Sequence, residues 1–210
     1  MQECGLTMLV RLWDGYSTGL FLDQRANRQW VRKAARGRQV LNLFAYTRSF
    51  AVAALAGEAR SCTCVDISRK YLDWGDRNLA LNSLPNAGQT ARRFVIPVVD
   101  FLRAARTRRE SYGLIILDPP SFSRDKKGRT HRIAEDLPAL CAACWELLEP
   151  GGHLLVSTNH QPLVDLPEAF ERRVMAGLRP APLSRGSHTP DADLPDIGTA
   201  SMRYAVLTRP

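Results

Sequence analysis

Hydrophobic residues in this 210-residue chain occur in short apolar runs separated by longer segments with apolar residues at helical spacing. Apolar runs of five or six residues are typical of strands that are buried on both faces of a sheet. They predict strands at Arg38–Leu43, Ser61–Asp66, Phe94–Val99, Tyr112–Leu117 and His153–Ser157, and a late strand near Ala200–Thr208.

The segments between these runs carry helix signals. Ser68 is a favourable N-cap for a helix that runs to about Asn82, and Gly57 can end a short helix over Ser49–Ala56. Further helices are predicted at Phe101–Thr107, Glu135–Leu148 and 166–177. Strands that alternate with helices predict parallel βαβ units and therefore a doubly wound α/β fold.

Polar residues follow several of the predicted strands. Asn42 lies near the end of the first strand, and Asp66, Asp100 and Asp118 end the next three. The carboxyl ends of parallel strands share one edge, where open α/β sheets bind ligands. Asp66 has the place of the acid that accepts ribose hydroxyls, and Asp100 is suited to accept from an adenine amino group. A single aspartate there is more simply a helix or turn cap, but polar residues at four successive strand ends favour a ligand site.

The segment Asp118-Pro119-Pro120-Ser121-Phe122 is the most informative of these strand ends. Proline fixes φ and has no N–H to donate, so the chain must leave the sheet at this edge. An acid, a rigid turn and an aromatic ring in this place suit the binding of a flat polar group such as a nucleobase. The polar segment Ser121–Arg132 predicts an exposed loop.

The turn after the first strand, Phe44–Phe50, contains no G-x-G-x-x-G pattern. A pyrophosphate would find no glycine cradle there, which disfavours NAD and FAD. The turn is compatible with an adenosine ligand that has no phosphate groups.

Charge and composition restrict the classes of function that this protein can have. The chain has 29 Lys and Arg against 21 Asp and Glu, a net charge of +8, which favours nucleic acid over an ordinary basic surface. No apolar run reaches the roughly 18–20 residues that span a bilayer, and the first residues show no signal peptide, so the cytoplasm is the expected compartment. The odd count of five cysteines disfavours a disulfide framework, and the pairs Cys62/Cys64 and Cys141/Cys144 are interpreted as ordinary buried cysteines, not as metal or redox sites.

Several segments together resemble class I S-adenosylmethionine-dependent methyltransferases, most closely the bacterial 23S rRNA large-subunit methyltransferases of the guanine-N7 and cytosine-C5 types. The segments are Thr18–Arg25, Leu41–Thr47, Val65–Trp74, Asn78–Asn82 and Leu117–Ser123. The resemblance implies a Rossmann-like fold with a mostly parallel, doubly wound sheet of seven strands. It divides the chain into a lead-in segment, 1–37, and one methyltransferase domain, 38–210. It also implies S-adenosyl-L-methionine as cofactor and RNA, most simply 23S rRNA or its precursor, as partner.

The same resemblance implies a role for each matching residue. Asp66 would hold the ribose hydroxyls, Asp100 the adenine, and Gln24 and Arg25 would close over the cofactor, with Arg25 near its carboxylate. Asp118, Pro119 and Pro120 would form the floor between methyl donor and target base, Phe122 would stack on a flipped base, and Asn159 would orient it. The residues that would line the cofactor are Asn42, Phe44, Ala45 and Tyr46.

The resemblance also bears on the acceptor atom. Cytosine-C5 members use a cysteine after the fifth strand, whereas this chain has Ser157-Thr158-Asn159-His160 there. A thiolate attack on cytosine therefore lacks an obvious nucleophile, which favours direct transfer to a guanine nitrogen. Guanine N7 carries a lone pair and no proton, so this reaction needs positioning and no general base.

Two departures from the family pattern keep alternatives open. Arg48 stands where relatives carry a small residue, and it would be strained if the turn requires a positive φ. Relatives also carry an N-terminal RNA-binding region, whereas this chain starts almost at the core. A methyltransferase for a small molecule or a protein, and a non-catalytic nucleic-acid-binding module that keeps the fold, are the alternatives.

Overall fold

The computed structural model describes residues 1–13, 18–85, 90–120, 122–124, 130–176, 178 and 202–210. These residues form two compact units, Met1–Val98 and Val99–Pro210, which are described separately. Among the described residues, no helix has both the length and the apolar character that a bilayer crossing requires.

The first unit opens with elements that the apolar pattern does not predict. Strand β1 (Gln2–Glu3) pairs with β2 (Leu6–Thr7), and a 3-10 helix at Leu22–Gln24 leads into helix α1 (Arg25–Ala34). The buried face of α1 carries Asn27 and Arg28 beside Val31. Because two of these three buried residues are polar, hydrophobic periodicity gives only a weak signal for this helix.

A parallel βαβαβ arrangement follows in the same unit. Its elements are β3 (Gln39–Leu43), α2 (Ser49–Ala56), β4 (Ser61–Asp66), α3 (Arg69–Leu81) and β5 (Ala91–Val95). Strand β4 lies between β3 and β5 and is parallel to both. The first two predicted strands and both predicted helices are confirmed, including the N-cap of α3, where Tyr71 N donates to Ser68 Oγ at 3.4 Å.

The third predicted strand, Phe94–Val99, is wrong in its bounds. Strand β5 ends at Val95, and the next helix, α4 (Val98–Thr107), has begun by Val98. The apolar run covers a strand end, a turn at Pro97 and the first residues of a helix. The half-buried β5 admits charged residues: Arg92 lies 5.2 Å from the Phe94 ring centroid, and Arg93 is 2.8 Å from Asp76 Oδ2.

The second unit contains three further long strands and most of the later helices. Strand β9 (Leu148–Thr158) is parallel to β6 (Tyr112–Leu117) and antiparallel to β10 (Arg203–Thr208). The other elements are the hairpin strands β7 (Phe122–Arg124) and β8 (Thr130–Arg132) and the helices α5 (Ile133–Glu146), α6 (Gln161–Asp165) and α7 (Pro167–Ala176). The long strands of the described residues thus number three in each unit, six in all, which equals the number that the apolar pattern predicts and is one fewer than the seven that the family resemblance implies.

Two predictions in the second unit are corrected. The described part of the predicted loop Ser121–Arg132 forms the β7–β8 hairpin, in which Phe122 is opposite Arg132. Strand β9 starts at Leu148 and continues through the Pro150–Gly152 turn signal, with a register shift against β6. A β-bulge of this kind accommodates extra residues without ending the strand. The predicted irregular segment 179–197 lies outside the described residues.

Each unit buries its apolar runs. In the first unit, Leu41, Leu43 and Val65 are fully buried, and six of the eight residues of α2 are buried. In the second unit, every residue of β6 is buried, as are Leu154–Thr158 of β9. The parallel strands are therefore covered on both faces, which explains their continuous apolar sequences.

Candidate active site

The turn after β3 has an unusual backbone. Three non-glycine residues, Phe44, Tyr46 and Arg48, have φ angles of 55°, 47° and 62°. Left-handed conformations of non-glycine residues cost on the order of 1–3 kcal/mol each and cluster at functional sites. The turn is held in this form by hydrogen bonds from Ala45 N to Val65 O at 3.0 Å and from Arg48 N to Ala45 O at 2.7 Å.

Asp66 at the carboxyl end of β4 lies directly beside this turn. One carboxylate oxygen, Oδ2, accepts from Tyr46 N at 2.9 Å, and the other, Oδ1, accepts from Ser68 N at 2.8 Å. Burial raises the pKa of Asp66, and the N–H groups of Ser68, Tyr46 and Ile67 oppose this rise. A carboxylate has about four lone-pair sites, so Asp66 retains the capacity to accept from a further donor such as a ligand hydroxyl.

The lead-in segment packs against the same turn. Thr47 Oγ1 donates to Gly19 O at 2.6 Å, and the rings of Phe21 and Tyr46 lie 5.5 Å apart. Gln24 is buried at the end of the 3-10 helix, where its Oε1 accepts from Asn27 Nδ2 at 2.7 Å, and the half-buried Arg25 begins α1. The lead-in segment thus contacts the turn through Gly19 and Phe21, and Gln24 and Arg25 follow Phe21 by three and four residues.

Asn42 and the turn residues occupy the predicted end of β3. Asn42 is 1% exposed; its Nδ2 lies 4.0 Å from Cys64 Sγ, and its Oδ1 has no hydrogen-bond partner in the described protein. Ala45 is buried, whereas Phe44 and Tyr46 are half-buried. Buried acceptors are rarely left unpaired, so the free Asn42 oxygen is suited to a donor from a ligand.

In the second unit, Asp118 directly follows β6 and is half-buried. Its Oδ1 accepts from Ser157 Oγ at 2.6 Å, near the end of the neighbouring parallel strand β9. Pro119 is buried and Pro120 is exposed. The chain therefore leaves the β6 strand after Leu117, as the two prolines predict.

Asn159 lies just beyond the end of β9 and is exposed. Because β6 and β9 are parallel and pair through Leu117 and Val156, Asp118 and Asn159 follow the same ends of adjacent strands. The predicted Phe122 begins strand β7, but its side chain lies outside the described side chains. Within this unit, the structure therefore brings together the predicted residues at the ends of β6 and β9.

Asp100 does not occupy the predicted strand end. It is the third residue of α4, its side chain is 52% exposed, and it forms an ion pair with Arg103 at 3.3 Å within the same helix. The error follows from the wrong bounds of β5, because the apolar residues after Pro97 belong to the helix. An acid in the first turn of a helix also has a capping role, since it complements the helix dipole.

Sequence reasoning missed three contributors to these two sites. Phe21 and Tyr71 flank Tyr46, with ring centroids 5.5 and 4.5 Å from it, and Ser157 donates to Asp118. Ser157 had a usable signal, since it lies near the end of a predicted strand. Phe21 and Tyr71 had none, because their approach to Tyr46 depends on how separate segments pack.

Comparisons with known proteins show the family of this chain. The family model described as S-adenosylmethionine-dependent methyltransferase matches residues 1–205. Ribosomal RNA large subunit methyltransferase K/L of Methylococcus capsulatus is 44% identical over 162 residues, 77% of this chain and 22% of the relative. The protein of the same name from Pseudomonas syringae pv. syringae is 35% identical over 210 residues, 100% of this chain and 26% of the relative. The chain thus spans about a quarter or less of these relatives.

Solved structures show the fold. The crystal structure of SMU.776 complexed with SAH is 29% identical, with a TM-score of 0.87 over 98% of this chain and 54% of that one. A SAM-dependent methyltransferase from Agrobacterium tumefaciens is 27% identical, with a TM-score of 0.71 over 84% of this chain and 57% of that one. The predicted Rossmann-like methyltransferase fold is confirmed. The chain belongs to the S-adenosylmethionine-dependent methyltransferase family.

Proposed function

We propose that this chain transfers a methyl group from S-adenosyl-L-methionine to a base of ribosomal RNA, at a guanine nitrogen in preference to cytosine C5. The observation that carries the proposal is the Asp66 carboxylate, held by Tyr46 N–H and Ser68 N–H beside a turn with three positive φ angles. An rRNA substrate is consistent with the K/L relatives and with the net charge of +8. An rRNA substrate would place the activity in the cytoplasm.

The residues of the first unit fit an adenosine-containing cofactor. The remaining acceptor capacity of the Asp66 carboxylate suits a ribose hydroxyl, and the unpartnered Oδ1 of Asn42 suits a further donor. The turn has no phosphate cradle and needs none, because the cofactor has no phosphate. When bound, this cofactor supplies an electrophilic methyl group, and the protein supplies the positions of donor and acceptor.

The cysteines of the second unit, which contains Asp118 and Asn159, argue against a covalent cytosine mechanism. Cys141 and Cys144, the two cysteines of the second unit, are fully buried in α5. Burial raises the pKa of Cys141 to about 12 and raises that of Cys144 well above its usual value. A thiol with a raised pKa is a poor nucleophile at neutral pH. Direct transfer to a ring nitrogen needs no such group, so we favour guanine and assign base orientation to Asp118 and Asn159.

Arg48 does not argue for a non-catalytic module. Its side chain is fully buried, forms an ion pair with Asp76 and packs against Gly75 of α3. The bulky residue that replaces a small one is therefore directed into the protein. The proposal also includes the other contacts that the family resemblance implies. Gln24, Arg25 and Asp100 would contact the cofactor. Pro119, Pro120 and Phe122 would contact the base.

Methylation of unmodified 23S rRNA, followed by mass spectrometry of the nucleosides, tests the function. We expect a methylated guanosine that is absent without cofactor. Production of 5-methylcytidine would overturn the choice of base. If rRNA gains no methyl group while calorimetry detects cofactor binding, the substrate is a small molecule or a protein. If neither occurs, the non-catalytic module is correct.

We expect Asp66→Ala to weaken binding of S-adenosylhomocysteine by about 1–3 kcal/mol, because the buried hydroxyl acceptor is lost. The ionised carboxylate is the acceptor, so affinity should fall as pH falls through the pKa of Asp66. Because burial raises this pKa, the fall should begin at a higher pH than for an ordinary aspartate. Calorimetry over a pH series measures both effects. An alanine variant with wild-type affinity would contradict the ribose role.

We expect Asp118→Ala to lower kcat by roughly tenfold to a hundredfold and to change the cofactor Kd by less than about threefold, because misplaced reactants lose rate more than affinity. Ser157→Ala is the matched control, since it removes the 2.6 Å hydrogen bond and keeps the carboxylate. Its loss of kcat should be smaller. Equal losses of kcat, affinity and thermal stability in Asp118→Ala would make this residue structural.

A further inference from the structure

The first unit has a second polar edge at the amino ends of β3 and β4. We call it the basic edge and define it by Arg32, Lys33, Arg36, Arg38 and Arg60. The first two lie in the last turn of α1, and the other three lie in the segments that precede β3 and β4. The proposed methyl transfer uses none of these residues, because its groups follow the carboxyl ends of the same strands.

Backbone contacts bring the basic edge together. Arg60 N donates to Arg38 O and Gly37 N donates to Glu58 O, each at 2.9 Å. A groove of about 590 Å³ runs beside them and is lined by Arg32, Lys33 and Arg36, among others. The ends of α1 and α2 are in close contact beside this groove, because a Cβ added at Gly57 would lie only 2.9 Å from Arg32 Cα. Three of the cations thus line the groove, and backbone hydrogen bonds hold the segment of the other two, Arg38 and Arg60, beside it.

The charge of this edge is strongly one-sided. Residues 32–38 and 58–60 contain five cations against a single carboxylate, Glu58, so they account for half of the chain's net charge of +8. Glu58 pairs with Arg36 at 2.9 Å, but both side chains are highly exposed, at 69% and 79%. An ion pair this exposed leaves both groups in contact with water and contributes little.

The helix ends explain only part of this charge. Helices α1 and α2 both end beside the groove, and the carboxyl end of a helix carries about half a negative charge. Two such helix ends together carry about one negative charge and balance about one cation, whereas the cations of the basic edge exceed its carboxylates by four. Four of the five cations are arginines, whose planar guanidinium groups match the geometry of phosphate oxygens. The chemistry of the edge is therefore that of a phosphate-binding surface.

We infer that the basic edge binds the phosphate backbone of the RNA substrate, outside the region where the methyl group is transferred; this inference rests on the proposed function. Strand β4 has six residues, so its first and last residues lie about 17 Å apart at roughly 3.3 Å per residue. Cations at the amino end therefore cannot contact a cofactor ribose held by Asp66. Contacts of this kind set the position and orientation of a nucleic acid and carry no sequence information.

The experiment compares two variants with equal loss of charge. The edge variant is Lys33→Gln, Arg36→Gln and Arg60→Gln. The control variant is Arg106→Gln, Arg108→Gln and Arg172→Gln, which removes three exposed arginines of the second unit. Binding of unmodified 23S rRNA fragments is measured at several salt concentrations, and S-adenosylhomocysteine binding is measured by calorimetry.

We expect the edge variant to lower the slope of log K against log salt by about 2 and the RNA affinity at low salt by about tenfold or more. The control variant should change both much less, and both variants should bind S-adenosylhomocysteine as the wild type does. Equal losses in the two variants, or no loss in the edge variant, would overturn the inference and leave the proposed function intact. A wild type that neither binds nor methylates RNA would overturn both, and the edge would then suit an acidic protein.

Discussion

Replacing Glu3 with alanine is expected to lower the free energy of unfolding by about 3–5 kcal/mol, because it leaves a buried guanidinium without its counter-charge. Arg28 of α1 is 2% exposed and Glu3 of β1 is 5% exposed. Arg28 Nε and Nη2 donate to the two carboxylate oxygens at 2.7 and 2.6 Å, and Nη1 donates to Phe21 O at 2.8 Å. The variant thus loses both charge-assisted bonds at once.

Chemical denaturation measures this loss of stability, and two further variants test whether the buried ion pair is its cause. Glu58→Ala breaks the exposed pair with Arg36 and should cost less than about 1 kcal/mol. The double variant Glu3→Leu/Arg28→Met should recover most of the loss, because apolar residues can replace a buried ion pair. A loss in Glu3→Ala no larger than in Glu58→Ala would mean that water reaches Arg28. Since Arg28 also holds Phe21, which lies against Tyr46, cofactor affinity should fall in Glu3→Ala as well.

Replacing Gly75 with alanine is expected to cost about 1–3 kcal/mol of stability through overpacking, although alanine is the better helix former. A Cβ at this position would lie 2.7 Å from Arg48 Cβ and would also meet Cγ and Cδ of the same side chain. Arg48 has little freedom to move: its side chain is fully buried, it has a φ of 62°, and it pairs with Asp76. We therefore expect weaker cofactor binding too, because Arg48 ends the turn beside Asp66.

A double-mutant cycle with Arg48→Gly tests the cause of this loss. In the Arg48→Gly background the colliding side chain is absent, and a glycine accepts the positive φ without strain. Asp76 keeps Arg93 at 2.8 Å. Gly75→Ala should therefore be close to neutral or stabilising there, which gives a coupling energy above about 1 kcal/mol by denaturation. An equal cost of Gly75→Ala in both backgrounds would show that Arg48 is not the reason for a glycine at this position.

Arg48 shows where sequence reasoning stops. Its position predicts strain if the turn requires a positive φ, and the φ of 62° confirms that condition. The features that accommodate it, Gly75 and Asp76, lie more than 25 residues later on α3. Nearby, a hydrogen bond with Cys62 and the charge of Arg48 lower the pKa of the Cys64 thiol to about 6, against burial, which raises it. Such a buried polar cluster depends on packing and has no local signature.

The placement of Asp66 and Asp118 was available from the sequence, whereas that of Asp100 was not. Asp66 ends a clear apolar run and Asp118 directly follows one, and a strand covered on both faces must be continuously apolar. The run that precedes Asp100 combines a strand end, a proline turn and the start of a helix. A short run cannot distinguish these elements, because each can be apolar when it is buried.

The sequence by itself determined the α/β class, the bounds of the first, second and fourth strands, the helices α2 and α3, and the strand-end positions of Asn42, Asp66 and Asp118. Each follows from local rules, namely apolar run length, capping residues and the restricted backbone of proline. The tertiary structure alone decided that the lead-in segment contacts the turn after β3, that Ser157 donates to Asp118, and that Arg28 and Arg48 are buried against distant acids. These contacts join residues far apart in the chain, and their energies exist only once the segments are packed together.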